Sequence, residues 1–562
     1  MKKKRLVGWA AAVLLFGLAV TALQAERPWI YAITDVKIVQ GPGQVIEKGT
    51  IVLRDGLVEA VGVNVQPPPD AQVIEGQEGW TVYPAFIDAA AKLALPSEEQ
   101  PGGAGGGPPN IGQLIAQMAQ PAKPRPGAPH ELSKVTPEAA VVDQLDFSDN
   151  KIERHRKLGF AVAHVIPPSG IVRGQSALIA LRSGDPRQLV LRDRVAQVLA
   201  LPTGSFFGGE YPGSKMGAVA ALRQALLDAQ RQSEWEKRYQ ANPVGLQRPE
   251  FRTSDESLIA VTRGQETVLF VALSTLDHGR FKTLADEFGL NGMALGLGCQ
   301  ELPYRLQASG MPVLLPLSFP KKPKVEEEDE LRETGLKDMQ AYMRAPKLPK
   351  QLAEAGVDFA LVSSGMSATD FSKNLHKAVE AGLSHDQALA ALTTVPARLL
   401  GISQVAGTLQ AGRIANLMVV NGDIFAEKPD LRYLFVDGRH EEFEAKEQKG
   451  DPTAQVNPTG VWEVTVQVMG RDNESTWTIE GSPGNYSGYS EGQRGRRDFI
   501  SVELEGNALT ILAPSPMGGE LEFTLIITGD TLEGEANIDT PQGSFTIQAK
   551  GKRVSGPEGG QR

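Results

Sequence analysis

The chain has 562 residues, a mass of 60.3 kDa, 41% hydrophobic residues and a formal net charge of −10. This length exceeds what one ordinary hydrophobic core supports, so we expect two or three globular domains. The acidic balance disfavours nucleic-acid binding, because a phosphate-binding surface needs a basic face. The single cysteine, Cys299, excludes an internal disulfide framework and a cysteine-rich zinc site. The expected partners are therefore small molecules or other proteins.

Residues 1–25 read MKKKRLVGWAAAVLLFGLAVTALQA, the order of a secretory signal peptide. A basic start precedes an apolar run, and small residues stand before Glu26. The alternative is an uncleaved membrane anchor, because Leu6 to Leu23 approaches the length that spans a bilayer. The signal-peptide interpretation predicts a secreted or periplasmic protein, attached to a membrane only if this segment stays uncleaved.

The segments 26–82 and 405–445 share a strand pattern. Alternating apolar residues and the turn pair Asp55-Gly56 predict antiparallel hairpins in the first segment. GTLQAGRIANLMVVNGDIF and LRYLFVDGRH carry strands in the second. We predict that the two segments pair in one sheet and form a composite β-sandwich domain, split by the residues between them.

Within 83–404, short apolar runs such as TVLFVALS, MPVLLPL and VDFALVSS alternate with segments of helical spacing such as GAVAALRQALLDAQ. This alternation is typical of βα units around a parallel sheet or barrel. Residues 97–131 are rich in proline and glycine at both ends and are predicted to be a loop. The stretch 455–556 contains alternating strands joined by glycine, asparagine and aspartate turns, which predicts a separate antiparallel β barrel or sandwich.

Several stretches together resemble the amidohydrolase superfamily, in its imidazolonepropionase-like branch and a secreted subgroup of it. TVYPAFIDAAAKL is similar to the family's Pro-Gly-Leu-Ile-Asp-Ala-His-x-His-Leu. LGFAVAHVIPPSGIVRGQSALIAL and YPGSKMGAVAALRQALLDAQ resemble the subgroup. GLSHDQALAALTTVPARLLGISQVAGTLQAGRIANLMVVNGD resembles the family's closing helices and return strand. The resemblance implies an α/β fold, a distorted TIM (β/α)₈ barrel with the composite β domain beside it. In active members it also implies a metal centre at the mouth of the barrel.

The positions of the family's metal ligands lack suitable donors in this sequence. The first His-x-His falls on Ala90 and Lys92, and the second pair falls on Val271 and Leu273. The aspartate of the family's Ser-Asp-Gly falls on Ser364. Methyl groups have no lone pair and an ammonium repels a metal cation. We therefore expect no metal and no other cofactor, and we assign no catalytic residue.

Four further observations complete the vestigial pocket expected at the mouth. Lys92 could replace the charge of the metal and hold a substrate carboxylate, or it could extend from an emptied pocket into solvent. Asp88 keeps the family's Ile-Asp-Ala and could bond to backbone. His164 is expected to be a hydrogen-bonded structural histidine, with the barrel mouth as its alternative position. Cys299 stands near a former ligand strand and is expected to be an apolar filler.

These features predict a protein of the amidohydrolase family, hydrolases of non-peptide carbon–nitrogen bonds, that is catalytically degenerate. It would act as a metal-free scaffold, a small-ligand binder or a pseudo-subunit beside an active paralogue. One alternative is an active hydrolase of a cyclic amide or peptide-like substrate with a shifted site. The other is a structural or surface interaction protein.

Overall fold

The computed structural model describes most of the chain, and every structural statement below concerns these residues: 29–95, 130–149, 151–201, 211–297, 303–320, 335–364, 366, 368–443, 451, 454–468, 471–492, 495–514, 520–540 and 543–556. The chain divides into two compact units, Met1–Glu444 and Ala445–Arg562. The predicted signal peptide and nearly all of the predicted loop at 97–131 lie outside the described residues. Among the residues that are described, no helix has the length and apolarity needed to cross a membrane.

A composite sheet in the first unit joins strands from both ends of that unit. Its strands are β1 (Ile30–Gly41), β2 (Gln44–Arg54), β3 (Leu57–Gly62), β4 (Gln72–Glu75), β5 (Trp80–Pro84), β16 (Leu417–Asn421), β17 (Asp430–Val436) and β18 (Arg439–Glu442). Strand β16 pairs antiparallel with β5, with Met418 opposite Tyr83. The two distant segments therefore share one sheet, as their sequence pattern predicts. This pairing joins the segments edge to edge in one eight-stranded sheet, and residues of both segments form a core cluster of their own. The sandwich architecture stays a prediction.

The central part of the first unit contains two further sheets, and most of their strands are nearly continuously apolar, as expected where both faces are covered. The strands are β6 (Phe86–Ala91), β7 (Phe160–Val165), β8 (Val172–Gln175), β9 (Ala177–Ala180), β10 (Val190–Arg192), β11 (Ala196–Ala200), β12 (Thr267–Ala272), β13 (Gly292–Gly296), β14 (Val313–Pro316) and β15 (Phe359–Val362). Their orders are β10-β9-β7-β6 and β15-β14-β13-β12-β11-β8.

Together, the strands of these two sheets form a closed series in which the last strand lies beside the first. Only Ser176 separates β8 from β9, so the two strands connect the sheets, each antiparallel to its neighbour. Strand β15 packs beside β6 and so closes the series β6-β7-β9-β8-β11-β12-β13-β14-β15. Strands β6 and β7 are parallel to each other, as are β11 to β15. Since parallel strands end on the same side, the residues that follow them gather at one edge of this structure.

Helices follow the parallel strands. They are α1 (Lys151–Arg156), α2 (Pro186–Leu189), α3 (Lys215–Ala241), α4 (Thr253–Thr262), α5 (Thr275–Phe288), α6 (Pro303–Ser309), α7 (Leu336–Arg344), α8 (Leu348–Glu354), α9 (Ala368–Glu380), α10 (His385–Leu392) and α11 (Thr394–Leu399). Local capping fixes several starts: the Ser214 side chain accepts a hydrogen bond from the Gly217 amide, and Ser384 forms a capping box with Gln387. Helix α3 covers the segment that the sequence predicts to be helical.

The second unit is a closed antiparallel barrel. Its strands are β19 (Gly460–Val468), β20 (Arg471–Ser482), β21 (Asn485–Gly492), β22 (Gly495–Asp498), β23 (Ser501–Glu505), β24 (Ala508–Pro514), β25 (Glu520–Thr528), β26 (Thr531–Thr540) and β27 (Gly543–Ser555). Strand β20 pairs with β21 as well as with β19, which closes eight of the strands into a ring and leaves β22 as an added hairpin strand. Of the two architectures that the sequence leaves open, the structure has the barrel.

Trp462 is fully buried in the core of this barrel. Its indole N–H donates to the Pro458 carbonyl at 2.9 Å, and the Arg553 guanidinium lies 4.3 Å from the ring centroid. Arg553 also donates to the carbonyls of Thr459 and Asn457, both at 2.6 Å. The ring therefore has its polar atom satisfied and its face covered by a cation.

Because the barrel closes on itself and has its own buried core, residues 455–556 are expected to fold when produced alone. The isolated segment should give a well-dispersed NMR spectrum. Trp462→Ala in this segment should then cost about 3–5 kcal/mol of unfolding free energy, measured by urea denaturation. A narrow spectrum typical of a disordered chain would show that the boundary is misplaced.

Candidate functional site

The positions predicted to form the vestigial pocket lie mainly at the carboxyl ends of the parallel strands. Ala90 is within the last residues of β6 and Lys92 directly follows that strand. Val271 is near the end of β12, and Leu273 follows it. Ser364 comes two residues after the end of β15. Cys299 lies outside the described residues, so its predicted position stays a prediction.

The side chains at these positions do not fit a divalent metal. Ala90 and Val271 are buried and carry only hydrocarbon, and Leu273 is 37% exposed. Ser364 supplies one buried hydroxyl, and Lys92 supplies an ammonium in place of a lone pair. Metal centres of this kind use several imidazole and carboxylate ligands. Over the part of the chain that the structure describes, no group of three or more histidine, cysteine, aspartate or glutamate residues is arranged to hold a metal ion.

Asp88 is the centre of a buried polar network. Its Oδ1 accepts hydrogen bonds from the backbone amides of Ala90 at 3.2 Å and Ser363 at 3.4 Å. Its Oδ2 accepts a short hydrogen bond from the Ser363 hydroxyl. The Ser363 oxygen also lies 2.8 Å from Nε2 of His155, which is itself 3.5 Å from Asp88 Oδ2. The carboxylate is fully buried, so these partners replace the water it has lost.

This network connects three elements that are far apart in sequence. His155 belongs to helix α1, and its Nδ1 donates to the Lys151 carbonyl of the same helix at 2.8 Å. Asp88 lies in β6 and Ser363 directly follows β15. Because its partner His155 is on a helix, Asp88 faces the helix side of its strand. These contacts connect the end of β6 to helix α1. The bonds from the Ala90 and Ser363 amides support the expectation that Asp88 bonds to backbone.

A β-bulge separates Asp88 from Ala90 and Lys92, the positions where the family resemblance predicts the first metal ligands. Asp88 is opposite Ala163 in β7, whereas Ala91 is opposite Val165, so β6 has one extra residue between these pairs. An extra residue interrupts the usual alternation of faces. Ala91 therefore falls on the same face as Asp88, and Ala90 falls on the opposite face. The Asp88 network and the predicted pocket are thus on different faces of this strand.

His164 is buried with both ring nitrogens bonded. Its Nδ1 donates to the Ala89 carbonyl at 2.7 Å, and its Nε2 lies 2.6 Å from the Ser176 hydroxyl. Burial lowers the pKa of His164 to about 4, although the Ala89 carbonyl and the charge of Asp88 oppose the shift. A neutral ring with no free lone pair supports the structural role expected for this residue.

Lys92 follows β6, and the charge of Arg173 in β8 acts on it. The Ile166 amide donates to the carbonyl of Ala91 at 3.4 Å, and the guanidinium of Arg173 donates to the carbonyl of the next residue, Pro167, at 3.3 Å. Lys92 is exposed, which agrees with the alternative that it extends into solvent. Partial desolvation nevertheless lowers its pKa, and the nearby charge of Arg173 lowers it further.

Sequence reasoning did not identify His155, Ser363 or Arg173. Ser363 stands in LVSSGM next to Ser364, and no spacing distinguishes the bonded serine from the unbonded one. His155 is separated from Asp88 by the predicted loop. The available signal was Arg173, the one charged residue of the quoted IVRGQS stretch.

Comparisons with known proteins agree with this geometry at the level of the fold. Residues 344–442 match the model of the amidohydrolase family. An amidohydrolase from Thermotoga maritima MSB8 has a similar structure, with a TM-score of 0.56 and 21% identity over 73% of this chain and 99% of that chain. A Xaa-Pro dipeptidase with bound methionine in the active site aligns with a TM-score of 0.43 and 16% identity, over 74% of this chain and 100% of its own. No curated protein sequence matches the chain significantly.

Together these findings relate residues 344–442 to the amidohydrolase family and imply a TIM barrel with additional domains, the fold of the similar amidohydrolase structure. The fold argument depends on the Thermotoga structure, whose chain is matched almost completely. The imidazolonepropionase-like branch and the secreted subgroup are finer assignments than these comparisons reach.

The two adjacent serines allow a direct test of the Asp88 network. Ser363→Ala removes the hydroxyl between Asp88 and His155 and should cost about 1–3 kcal/mol of unfolding free energy, because buried polar groups lose their partner. Ser364→Ala is the matched control, since its buried hydroxyl has no partner and its loss should be close to neutral. Urea denaturation measures both. Equal costs for the two variants would contradict the network.

The histidines predict how stability depends on pH. Burial lowers the pKa of His130, His164, His278 and His440 in the folded protein. Between the ordinary histidine pKa of about 6.5 and the folded value, the unfolded chain binds more protons. Stability should therefore fall as the pH is lowered from 7 towards 5.

The contribution of His164 to this slope can be isolated. His164→Gln should make the unfolding free energy, measured by urea denaturation at pH 7 and pH 5, less dependent on pH. The control is His385→Gln, which changes a histidine with a mostly exposed side chain and should retain the wild-type slope. A His164 variant with the full slope would mean that this ring is not held neutral.

Proposed function

We propose that this chain is a metal-independent protein with the amidohydrolase fold, in which the barrel serves as a scaffold or as a binder of a small ligand. The amidohydrolase superfamily is supported by the family match and by the shared fold. The absence of metal-dependent hydrolysis is our inference from the side chains at the strand ends. We further propose that it is exported and belongs to the imidazolonepropionase-like branch.

The observation that carries this proposal is the chemistry of the predicted ligand positions. A metal-activated water requires ligands that hold the ion at a fixed place and leave one position open. Ala90 and Val271 are buried hydrocarbon, and Lys92 would repel the ion. Restoring one ligand would not restore a site, because the missing donors belong to separate strands.

A protein of this kind could act as a pseudo-subunit beside an active paralogue. A barrel that keeps its fold and loses its metal can still present the same outer surface to a partner. Co-purification from its source with a homologue that has the histidines would support this role. Without such a partner, the ligand-binding role is preferred.

Metal analysis is the decisive measurement. The protein, purified and dialysed without chelator, should contain far less than one equivalent of zinc, manganese or iron. A chelator should leave its melting temperature unchanged, because no metal-binding free energy is linked to folding. Stoichiometric metal together with chelator-sensitive hydrolysis would overturn the proposal and favour the active hydrolase with a shifted site.

The double variant Ala90→His with Lys92→His provides the corresponding gain-of-function control. It restores the first His-x-His but leaves Val271, Leu273 and Ser364 unchanged. Hydrolysis of amide substrates should remain absent in the presence of added zinc. Activity in this variant would mean that other residues already supply the remaining ligands.

A further inference from the structure

We propose that the start of helix α5 binds a small, uncharged, amphiphilic molecule, whose hydroxyl or amide group is held by Thr275 and His278. This inference rests on the proposed function, in which the barrel serves as a binder of a small ligand. It adds the chemical class of that ligand and the residues that recognise it.

The usual distribution of polar and apolar residues is inverted where strand β12 leads into helix α5. Leu273 and Leu276 are 37% and 51% exposed, whereas Thr275 is 4% exposed and His278 is fully buried. A single exposed leucine is ordinary, but buried polar side chains beside exposed apolar ones require an explanation. This stretch directly follows the carboxyl end of a parallel strand, the place where (β/α)₈ barrels bind their ligands.

Asp277, the third buried polar residue of this stretch, is explained by its partners. Its carboxylate accepts hydrogen bonds from the Lys215 ammonium at 2.8 and 3.0 Å and from the Arg280 guanidinium at 2.5 Å. Its backbone amide donates to the Ser274 hydroxyl at 3.2 Å. These contacts fix the first turn of α5 against the start of α3, and they engage both cations with one acid.

Thr275 and His278 lack comparable contacts. Among the residues that the structure describes, neither Oγ1 of Thr275 nor either ring nitrogen of His278 has a hydrogen-bond partner. Residues three apart on a helix lie on one face, with their Cβ atoms about 5–6 Å apart, so one small group can contact both. Buried polar atoms of native proteins are nearly always hydrogen-bonded. A molecule bound at this face would supply the missing partners.

An aromatic pair closes the inner end of this face. Phe281, three residues after His278, stacks on Phe270 of β12 with ring centroids 4.7 Å apart. Both rings are fully buried. A molecule that contacts His278 and Thr275 therefore enters from the first turn of the helix, beside the two exposed leucines.

The chemistry of these groups selects an uncharged ligand. Burial lowers the pKa of His278, so at neutral pH its ring offers one N–H donor and one nitrogen acceptor. The Thr275 hydroxyl also donates and accepts. A hydroxyl or a primary amide matches this set, whereas a carboxylate would lose its hydration without gaining a countercharge. The exposed leucines provide apolar surface for the rest of the molecule.

The test uses the full-length protein and three probes of similar size: 1-butanol, butanamide and butyrate. The chain has seven histidines, so labelling them with ¹³C and ¹⁵N gives few ring signals in an NMR spectrum. The signal that is missing from His278→Phe belongs to His278. We expect butanol or butanamide to shift this signal saturably at millimolar concentration, and the tighter of the two identifies the preferred group. Butyrate should leave the signal unchanged.

A pair of threonine variants on the same helix locates the site. Thr275→Val should weaken binding of the preferred probe at least about threefold, the effect of losing one hydrogen bond. The matched control is Thr283→Val, which changes an exposed threonine whose hydroxyl donates to the Gly279 carbonyl at 3.1 Å and should keep the wild-type affinity. Without probe, Thr275→Val should keep the wild-type melting temperature, because its hydroxyl has no partner to lose.

The inference would be overturned if neither uncharged probe shifted the His278 signal, if butyrate bound as tightly, or if Thr275→Val bound the probe as the control does. A lower melting temperature of Thr275→Val without probe would also overturn it, because a resident water would then already satisfy the hydroxyl. All these results leave the metal analysis untouched, so a metal-free protein without this site would remain a scaffold. Stoichiometric metal in the purified protein would instead reject the proposed function itself.

Discussion

The buried carboxylate of Asp88 joins the first and the last parallel strands of the central structure. Strand β6 ends one sheet and β15 ends the other, and the order of hydrogen-bonded strands includes no pairing between them among the residues described. Asp88 supplies the hydrogen-bond acceptor that the backbone of a paired strand would otherwise provide, because its Oδ1 accepts hydrogen bonds from the amides of Ala90 and Ser363. A side chain thus replaces part of a β ladder at the place where the order closes.

This role gives a structural reason for an acid at position 88 that does not involve a metal. A buried methyl group such as that of Ala90 needs no hydrogen-bond partner. Removing the Asp88 carboxylate would instead leave two amides and the Ser363 hydroxyl without an acceptor. The structural cost of losing Asp88 is therefore independent of catalysis. Similarity to an active-site motif at this residue carries little information about activity.

Local patterns predicted much of the fold because they depend on neighbouring residues. The helix at Lys215–Ala241, the apolar strands of the central unit and the alternating strands of the second unit all follow from periodicity. The joining of the two distant segments in one sheet depends on the pairing of β16 with β5, and the closed barrel depends on the pairing of β20 with β21. Alternation of apolar residues identifies the buried face of a strand, but it does not identify the strand with which that strand pairs.

The candidate site was less predictable for the same reason. Family resemblance located Ala90, Lys92 and Ser364, but the environment of each depends on residues brought from elsewhere. The charge that acts on Lys92 is that of Arg173 in β8, and His155 contacts Asp88 from a helix that follows the loop segment. The bulge in β6 assigns Asp88 and Ala90 to opposite faces, although a regular strand would place them on the same one.

Lys92 carries an ammonium at the position where the family resemblance predicts a metal-binding imidazole. A neutral histidine offers a lone pair to a cation, whereas a charged lysine offers protons to an anion. Lysine at this position therefore supports the proposed metal-independent function, because an ammonium cannot take the place of a metal-binding imidazole.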